Sequence, residues 1–273
     1  ALDAVLAAQD RDGVAVGDVF QSPSADQMLE VTKRVDSGAG VLYLYGNYGG
    51  DVLNFDLATD LAAAEGIRVE TVLGADDVAS APKGDEARRR GIAGIFFLYK
   101  VAGAAADAGL DLDAVVAATK KAAEHTRTMG VALSPVTLPA NGKPTFELPV
   151  GEMEIGMGIH GEPGISRAAW ANADDIAAEL VAKIEADRDL AAGDEVAGLM
   201  NGLGSTPQEE LYIMFRKVSE ILSAKKVSVY RTYVGEFATS LEMAGASISM
   251  MRLDDDLKKY IDHPVHTPFF TQA

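Results

Sequence analysis

The chain has 273 residues, 48% of them hydrophobic and 24% charged, which suffices for one large or two modest globular domains. It contains no cysteine, so structural disulfides and thiolate metal sites are excluded. A formal net charge of −17 argues against nucleic acid or an anionic membrane as partner. No apolar run is long enough to cross a bilayer and the start carries no signal-peptide pattern, so a cytoplasmic protein is expected.

Residues 1–20 open abruptly, as if inside a domain, and the helix signals begin after them. Ser24 with Gln27 three residues later forms a capping box, which predicts a helix through about Val35. The apolar run Val41 to Tyr45 reads as a buried parallel strand. It leads into a glycine loop, residues 46–51, then an amphipathic helix from about Val52 to Glu65 and a strand from Ile67 to Leu73. This strand–loop–helix–strand order predicts a doubly wound α/β sheet, whose ligands sit at the carboxyl ends of the strands. The glycines of the loop match neither a dinucleotide fingerprint nor a P-loop. Asp51 has two readings: a helix N-cap, or a carboxylate facing a ligand.

Asp76, Asp77 and the stretch 83–90 read as a solvated mixed-charge loop, in which the run Arg88, Arg89 and Arg90 is either an exposed face, the usual case, or a grip for a phosphate or a partner. Helices are expected over 92–108 and 112–128, with His125 on the surface. Extended segments with proline punctuation follow at 131–139 and 145–149. Asp174 and Asp175 open a helix through about Asp187, and Glu195 to Met200 is a strand. Thr206 as cap, with Pro207 at the first helical position and Glu209, predicts a helix to about Ser223 after a plain glycine turn. Strands over 227–234 and 247–253 and a helix over 255–261 complete the chain, with His263 and His266 as structural residues of the tail. The four histidines show no metal-ligand spacing, so no histidine-built metal site is expected.

One stretch, residues 153–164, stands apart. A strand-like run delivers His160 into a Gly-Glu-Pro-Gly turn, with Gly156, Gly158 and Gly161 leaving the backbone bare. The turn is either an ordinary strand end with a polar tip or a tight site in which an imidazole faces a small molecule.

Five segments together carry a resemblance. They are Gly-Asn-Tyr-Gly-Gly-Asp-Val-Leu-Asn-Phe (46–55), Ala-Leu-Ser-Pro-Val-Thr-Leu-Pro-Ala-Asn-Gly-Lys-Pro-Thr-Phe (132–146), Glu-Met-Glu-Ile-Gly-Met-Gly-Ile-His-Gly-Glu-Pro-Gly (152–164), Asn-Gly-Leu-Gly-Ser-Thr-Pro (201–207) and Gly-Glu-Phe-Ala-Thr-Ser-Leu-Glu-Met-Ala-Gly (235–245). In this order and spacing the chain resembles the substrate-binding K subunit, or K domain, of dihydroxyacetone kinases, from about Val16 to Phe269. The resemblance implies two α/β domains and usually a homodimer. The first, 1–128, is expected to be a doubly wound parallel-sheet domain; the second, 129–273, an α/β domain with a mixed sheet that carries the histidine. The resemblance implies that His160 bonds covalently to a ketose carbonyl as a hemiaminal. It further implies that Asp51 contacts the hydroxyl to be phosphorylated, and that Ser22, Gly46, Asn47 and Gly50 line the substrate. The chemistry is coherent. A neutral imidazole attacks ketones, so capture selects for a carbonyl that glycerol lacks, and a carboxylate can take the proton of a hydroxyl attacking phosphorus.

Two departures bear on these expectations. The family carries a Gly-Gly-Gly-Ser-Gly-His-Glu-Pro loop, with a second histidine, upstream of where this chain begins, so the first domain is expected to be truncated; residues 6–13 also look like an insertion. Many members have lysine where this chain has Gly46, and the lost cation and added room suggest a longer ketose such as erythrulose. No nucleotide motif is present, so no cofactor is expected on this chain; ATP, or ADP in a phosphotransferase relay, would sit with Mg on a separate L-type subunit or domain. Family relatives that act as transcriptional co-activators supply a regulatory alternative. A generic small-carbonyl or lipid-type binder is disfavoured by the histidine motif.

Overall fold

The computed structural model describes the backbone of residues 2–7, 12–268 and 270–273, with side chains from residue 13 onward. In chain order the elements begin with β1 (Leu2–Ala7), β2 (Asp12–Val16), α1 (Ala25–Val35), β3 (Val41–Gly46), α2 (Gly49–Ala64) and β4 (Val69–Gly74). Next come α3 (Ile95–Asp107), α4 (Leu112–His125), β5 (Thr126–Ala132), β6 (Thr137–Leu138), β7 (Lys143–Pro144), β8 (Glu152–Ile155) and β9 (Ser166–Ala169). The chain ends with α5 (Ala173–Asp187), β10 (Glu195–Gly202), α6 (Gln208–Ala224), β11 (Ser228–Gly235), β12 (Gly245–Leu253), α7 (Asp255–Asp262), β13 (Val265–His266) and β14 (Thr271–Gln272). The class is α/β, as expected.

Contacts divide the chain into two units, one of Ala1–Gly74, Phe97–Glu124 and Asp254–Ala273, the other of Ala75–Phe96 and His125–Leu253. One crossing, at Glu124/His125, falls close to the sequence boundary of 128/129. Two exchanges lie elsewhere. Residues 75–96 join the second unit. Residues 254–273 return to the first, where Lys121 of α4 meets Asp254 and Asp256 and His263 meets Asp107 at 2.5 Å.

The first unit holds a four-stranded sheet in the order β2-β1-β3-β4. Only β3 and β4 are parallel; β1 runs antiparallel to both β2 and β3. β1 and β2 pair antiparallel in a stretch where the sequence showed no element. Of the proposed insertion at 6–13, residues 8–11 lie outside the described residues. Every side chain from Val41 to Tyr45 is buried, which explains a continuous apolar run instead of an alternating one. Tyr45 stacks on Phe55 of α2 at 3.9 Å, and Tyr43 meets the same ring edge-on at 5.0 Å. Each such ring contributes about 1.5–3 kcal/mol by burial. The Tyr43 hydroxyl is satisfied by Thr32 at 2.7 Å. The predicted capping box of α1 is present: Gln27 N–H donates to Ser24 Oγ and the Ser24 N–H to Gln27 Oε1.

The second unit is a six-stranded mixed sheet in the order β11-β10-β12-β5-β8-β9, in which only β10 and β11 are parallel. Leu180, Val181 and Ile184 of α5 and Leu211, Val218 and Leu222 of α6 bury against Met129, Val196, Met200 and Ile248 of the strands.

Several expectations are corrected here. The loop 76–90 is only partly solvated: residues 82–84, 87 and 88 are exposed, but Asp76, Asp77 and Arg89 are 2%, 1% and 0% exposed. Arg89 makes a bidentate pair with Asp187 at 2.9 and 2.5 Å, and Arg127 reaches the same carboxylate at 2.5 Å. Asp76 accepts the Ile92 and Gly94 N–H groups at 2.9 and 2.8 Å. Only Arg88 of the arginine run points into solvent. The helix expected to reach Thr128 stops at His125, because Thr126 to Ala132 pairs with β12. His125 is half-buried, its Nδ1 2.9 Å from the Arg252 carbonyl. Thr206 is not a helix cap. Its hydroxyl donates to the Gly245 carbonyl at 2.7 Å and accepts the Gly245 N–H at 2.8 Å, and Pro207 is the cap of α6.

Candidate active site

In the first unit the glycine loop lies at the carboxyl end of β3, in register with the end of β4, where Gly46 pairs with Gly74. Asn47 N–H donates to the Gly74 carbonyl and Tyr48 N–H to the Gly46 carbonyl, both at 2.9 Å, which turns the chain sharply into α2. The helix begins at Gly49, not Val52, so Asp51 lies inside the first turn and Tyr48 occupies the cap position. The N-cap reading of Asp51 is therefore set aside. Asp51 is 5% exposed, and its Oδ1 accepts a short hydrogen bond from Ser22 Oγ. A carboxylate there also lies at the positive end of the helix dipole. Ser22 is pinned in turn, since the Pro23 carbonyl accepts Asn54 Nδ2 at 2.8 Å. A Cβ at Gly50 would stand 3.0 Å from Ser22 Oγ, so glycine there leaves the serine its place. Ser22, Gly50 and Asp51 are thus brought together, with Gly46 and Asn47 on the same loop.

In the second unit the chain leaves β8 through residues 156–164. Gly156 and Gly161 take φ of +77° and +87°, a region that L side chains rarely adopt. Within the turn, Gly161 N–H donates to the Gly158 carbonyl and Gly158 N–H to the Glu162 carbonyl, both at 3.1 Å. Glu162 folds back over this turn. Its Oε2 accepts the His160 N–H at 3.0 Å and its Oε1 lies 2.9 Å from His160 Nδ1. Burial pushes the Glu162 carboxyl up, but the hydrogen bond and charge of His160 outweigh it, and the group ends below its ordinary value. Gly158 makes room for this carboxylate: a Cβ there would come within 2.1 Å of Glu162 Oε2.

The loop is braced from two sides of its own unit. Arg90 donates from Nη2 to the Gly156 carbonyl at 3.1 Å, and its Nε is held by Asp77 at 2.8 Å. Burial raises the Asp77 carboxyl to about 6, against the lowering charge of Arg90. From the other side Ser240 Oγ donates to the Ile159 carbonyl. The segment bearing Ser240 hangs on buried Asn201, whose Oδ1 accepts the Phe237 and Ala238 N–H groups at 2.9 and 2.8 Å. The Asn-Gly-Leu-Gly loop is thus more than a strand-to-helix turn. Glu162, Arg90, Asn201 and Ser240 are not among the expected site residues. Glu162 could have been found, standing two residues after the histidine in a glycine turn. The other three act through the fold from 36 to 81 residues away. Among the described residues no cluster of three or more histidine, aspartate or glutamate side chains could hold a metal ion.

Comparison with known proteins places these features in context. Residues 7–269 match the Dak1 domain. The chain is 49% identical over 259 residues to the dihydroxyacetone-binding subunit DhaK of PTS-dependent dihydroxyacetone kinase 2 from Listeria innocua, covering 95% of this chain and 78% of that protein. It is 46% identical to a D-erythrulose kinase from Mycolicibacterium smegmatis, covering 96% of this chain but only 45% of that longer protein. Among solved structures, the dihydroxyacetone kinase operon co-activator Dha-DhaQ superposes with a TM-score of 0.84 at 33% identity, covering 90% of this chain and 76% of the other. With its family match spanning nearly the whole sequence, and relatives above 40% identity, the chain belongs to the Dak1 domain family, with strong homology to dihydroxyacetone-binding subunits of dihydroxyacetone kinases.

Proposed function

We propose that this chain is the ketose-binding component of a dihydroxyacetone-type kinase. His160 captures the substrate through a bond from Nε2 to the ketone carbon, giving a hemiaminal. Asp51 accepts the proton of the terminal hydroxyl as that oxygen attacks phosphorus, and Ser22 orients its carboxylate. Gly46, Asn47 and Gly50 provide the bare backbone of the hydroxyl-binding loop. The phosphoryl group comes from ATP, or from ADP in a phosphotransferase relay, held with Mg on an L-type subunit or domain, and the chain works as a homodimer. The observation that carries this reading is the environment of His160. Its imidazole is secured through Nδ1 by Glu162, on a turn whose glycines admit that carboxylate and let the chain close around it. Covalent capture adds a test for the carbonyl that hydrogen bonding to hydroxyls alone cannot provide.

The lysine-to-glycine change at Gly46 and the 46% identity to a D-erythrulose kinase favour a four-carbon ketose alongside dihydroxyacetone. The resemblance to a co-activator structure favours a second reading, a ketose sensor that binds without phosphorylating. Intact-mass spectrometry with dihydroxyacetone and with erythrulose, on the wild type and His160→Ala, tests the capture; the adduct is expected only with the histidine. Addition of an L-type subunit with ATP then separates the readings. Turnover supports the kinase component, and an adduct without turnover with any cognate partner supports the sensor.

A further inference from the structure

His160 is held by one side chain at two points. Glu162 accepts its peptide N–H through one carboxylate oxygen at 3.0 Å and faces its ring Nδ1 with the other at 2.9 Å. The same residue closes the turn through its carbonyl, which accepts Gly158 N–H at 3.1 Å. Glycine at 158 is what admits the carboxylate, and glycine at 161, where a Cβ would strike Thr145 Oγ1 at 2.1 Å, is what lets the turn close. The two side chains are 21% and 28% exposed, so the pair is only partly screened by water.

The chemical consequence follows from the donor inventory. An ionised carboxylate only accepts hydrogen bonds, so the ring nitrogen facing it must donate. The carboxyl is held below its ordinary value, which keeps it ionised at neutral pH. The neutral ring therefore carries its proton on Nδ1 and its lone pair on Nε2. Free imidazole of histidine prefers the opposite tautomer, with the proton on Nε2.

We propose that Glu162 is the positioning residue that fixes His160 in the Nδ1–H tautomer and so makes Nε2 the nucleophile toward a ketone carbonyl. The tautomer assignment rests on the carboxylate that faces Nδ1 at 2.9 Å; its use in capture rests on the covalent reading above. In that step the Nε2 lone pair forms the bond to the carbonyl carbon. The carbonyl π pair moves to oxygen, which takes a proton from water. The ring is then positively charged, and the Glu162 carboxylate at 2.9 Å offsets that charge. The Nδ1 proton passes to Glu162 and on to the hydroxide left by the water, so no net proton is consumed and a neutral hemiaminal remains.

The test uses the whole chain with histidine labelled with nitrogen-15, as wild type, Glu162→Gln and Glu162→Asp. Long-range proton–nitrogen NMR near pH 8, without ketose, reads the tautomer of His160. The wild type should show a protonated Nδ1 and an unprotonated Nε2, Glu162→Gln should move toward the opposite tautomer, and Glu162→Asp should fall between. Carbon-13 NMR of dihydroxyacetone labelled at C2 reads capture as loss of the ketone signal and growth of a tetrahedral one. Capture should weaken by about tenfold or more in Glu162→Gln, the scale on which a mis-set tautomer or a lost ligand-orienting partner acts, with partial recovery in Glu162→Asp. A merely structural role would lower thermal stability without moving the tautomer. An unchanged tautomer and unchanged capture in a folded Glu162→Gln overturn the proposal. Should that variant not fold, a wild-type His160 protonated on Nε2 overturns it equally. Absence of any adduct in the wild type refutes the covalent reading, while the nitrogen spectrum still decides the role of Glu162.

Discussion

Replacing Gly158 by alanine separates the carboxylate clamp from the fold. The added Cβ would lie 2.1 Å from Glu162 Oε2 and 2.7 Å from Arg90 Nη1, both far below contact distance. The obstructing atoms are the ends of flexible side chains, and Gly158 is not among the glycines of positive φ. The backbone can therefore stay while the carboxylate swings away. His160 then loses two hydrogen bonds to a charged acceptor, each worth about 1.5–3 kcal/mol when buried. Partial exposure lowers each to about the worth of an ordinary hydrogen bond, about 0.75–1 kcal/mol, so the sum is about 1.5–2 kcal/mol, which is roughly ten- to thirtyfold in an equilibrium constant. Calorimetry and the carbon-13 capture assay check this together. Ketose capture should fall by about that factor, while Tm drops by no more than about 3–8 °C. Gly164→Ala is the contrast: its Cβ would stand 2.3 Å from the Ile155 carbonyl oxygen, which cannot yield, so stability should suffer first. Wild-type capture by Gly158→Ala, in a crystal structure with Glu162 displaced, would refute the reasoning.

Three other outcomes are expected. Asp51→Asn should keep the ketose adduct in intact-mass spectra but lower turnover with an L-type subunit by about 10²–10⁴-fold, the usual loss of a general base; unchanged turnover would remove Asp51 from the chemistry. Asp187→Ala removes the carboxylate that buried Arg89 and Arg127 share, and should cost about 3–5 kcal/mol, seen as a Tm drop of roughly 10 °C or more. Asp77 is raised by burial to about 6 in the fold, above its unfolded value of 3.8. Its stabilising proton uptake is complete below about pH 4 and is lost as pH rises through about 6, on the order of 3 kcal/mol at most. Denaturation of the wild type relative to Asp77→Asn should therefore favour the wild type more at pH 4 than at pH 7.

Local chemistry was legible in the chain wherever its cause was local. The capping box at Ser24 and Gln27, the buried run at 41–45 and the glycine turn around His160 each depend on neighbours within a few residues. Features fixed by distant partners were not legible. Arg88, Arg89 and Arg90 look alike in sequence. One is in solvent, one is bound to Asp187 98 residues on, and one braces the histidine loop through Gly156. Thr206 sits where a cap belongs, yet its hydroxyl is taken by Gly245. Asp51 was ambiguous because cap and ligand carboxylates occupy the same few positions. The earlier start of α2 and the Ser22 hydroxyl removed the cap reading.

The central claim is a covalent bond between His160 and a ketone. It is tested most directly by mixing histidine labelled with nitrogen-15 in the protein with dihydroxyacetone labelled with carbon-13 at C2. A tetrahedral carbon coupled to one ring nitrogen, Nε2 of His160, and absent in His160→Ala, is the predicted result. A ketose that binds with its carbonyl signal unchanged, or binds equally well to His160→Ala, would contradict it.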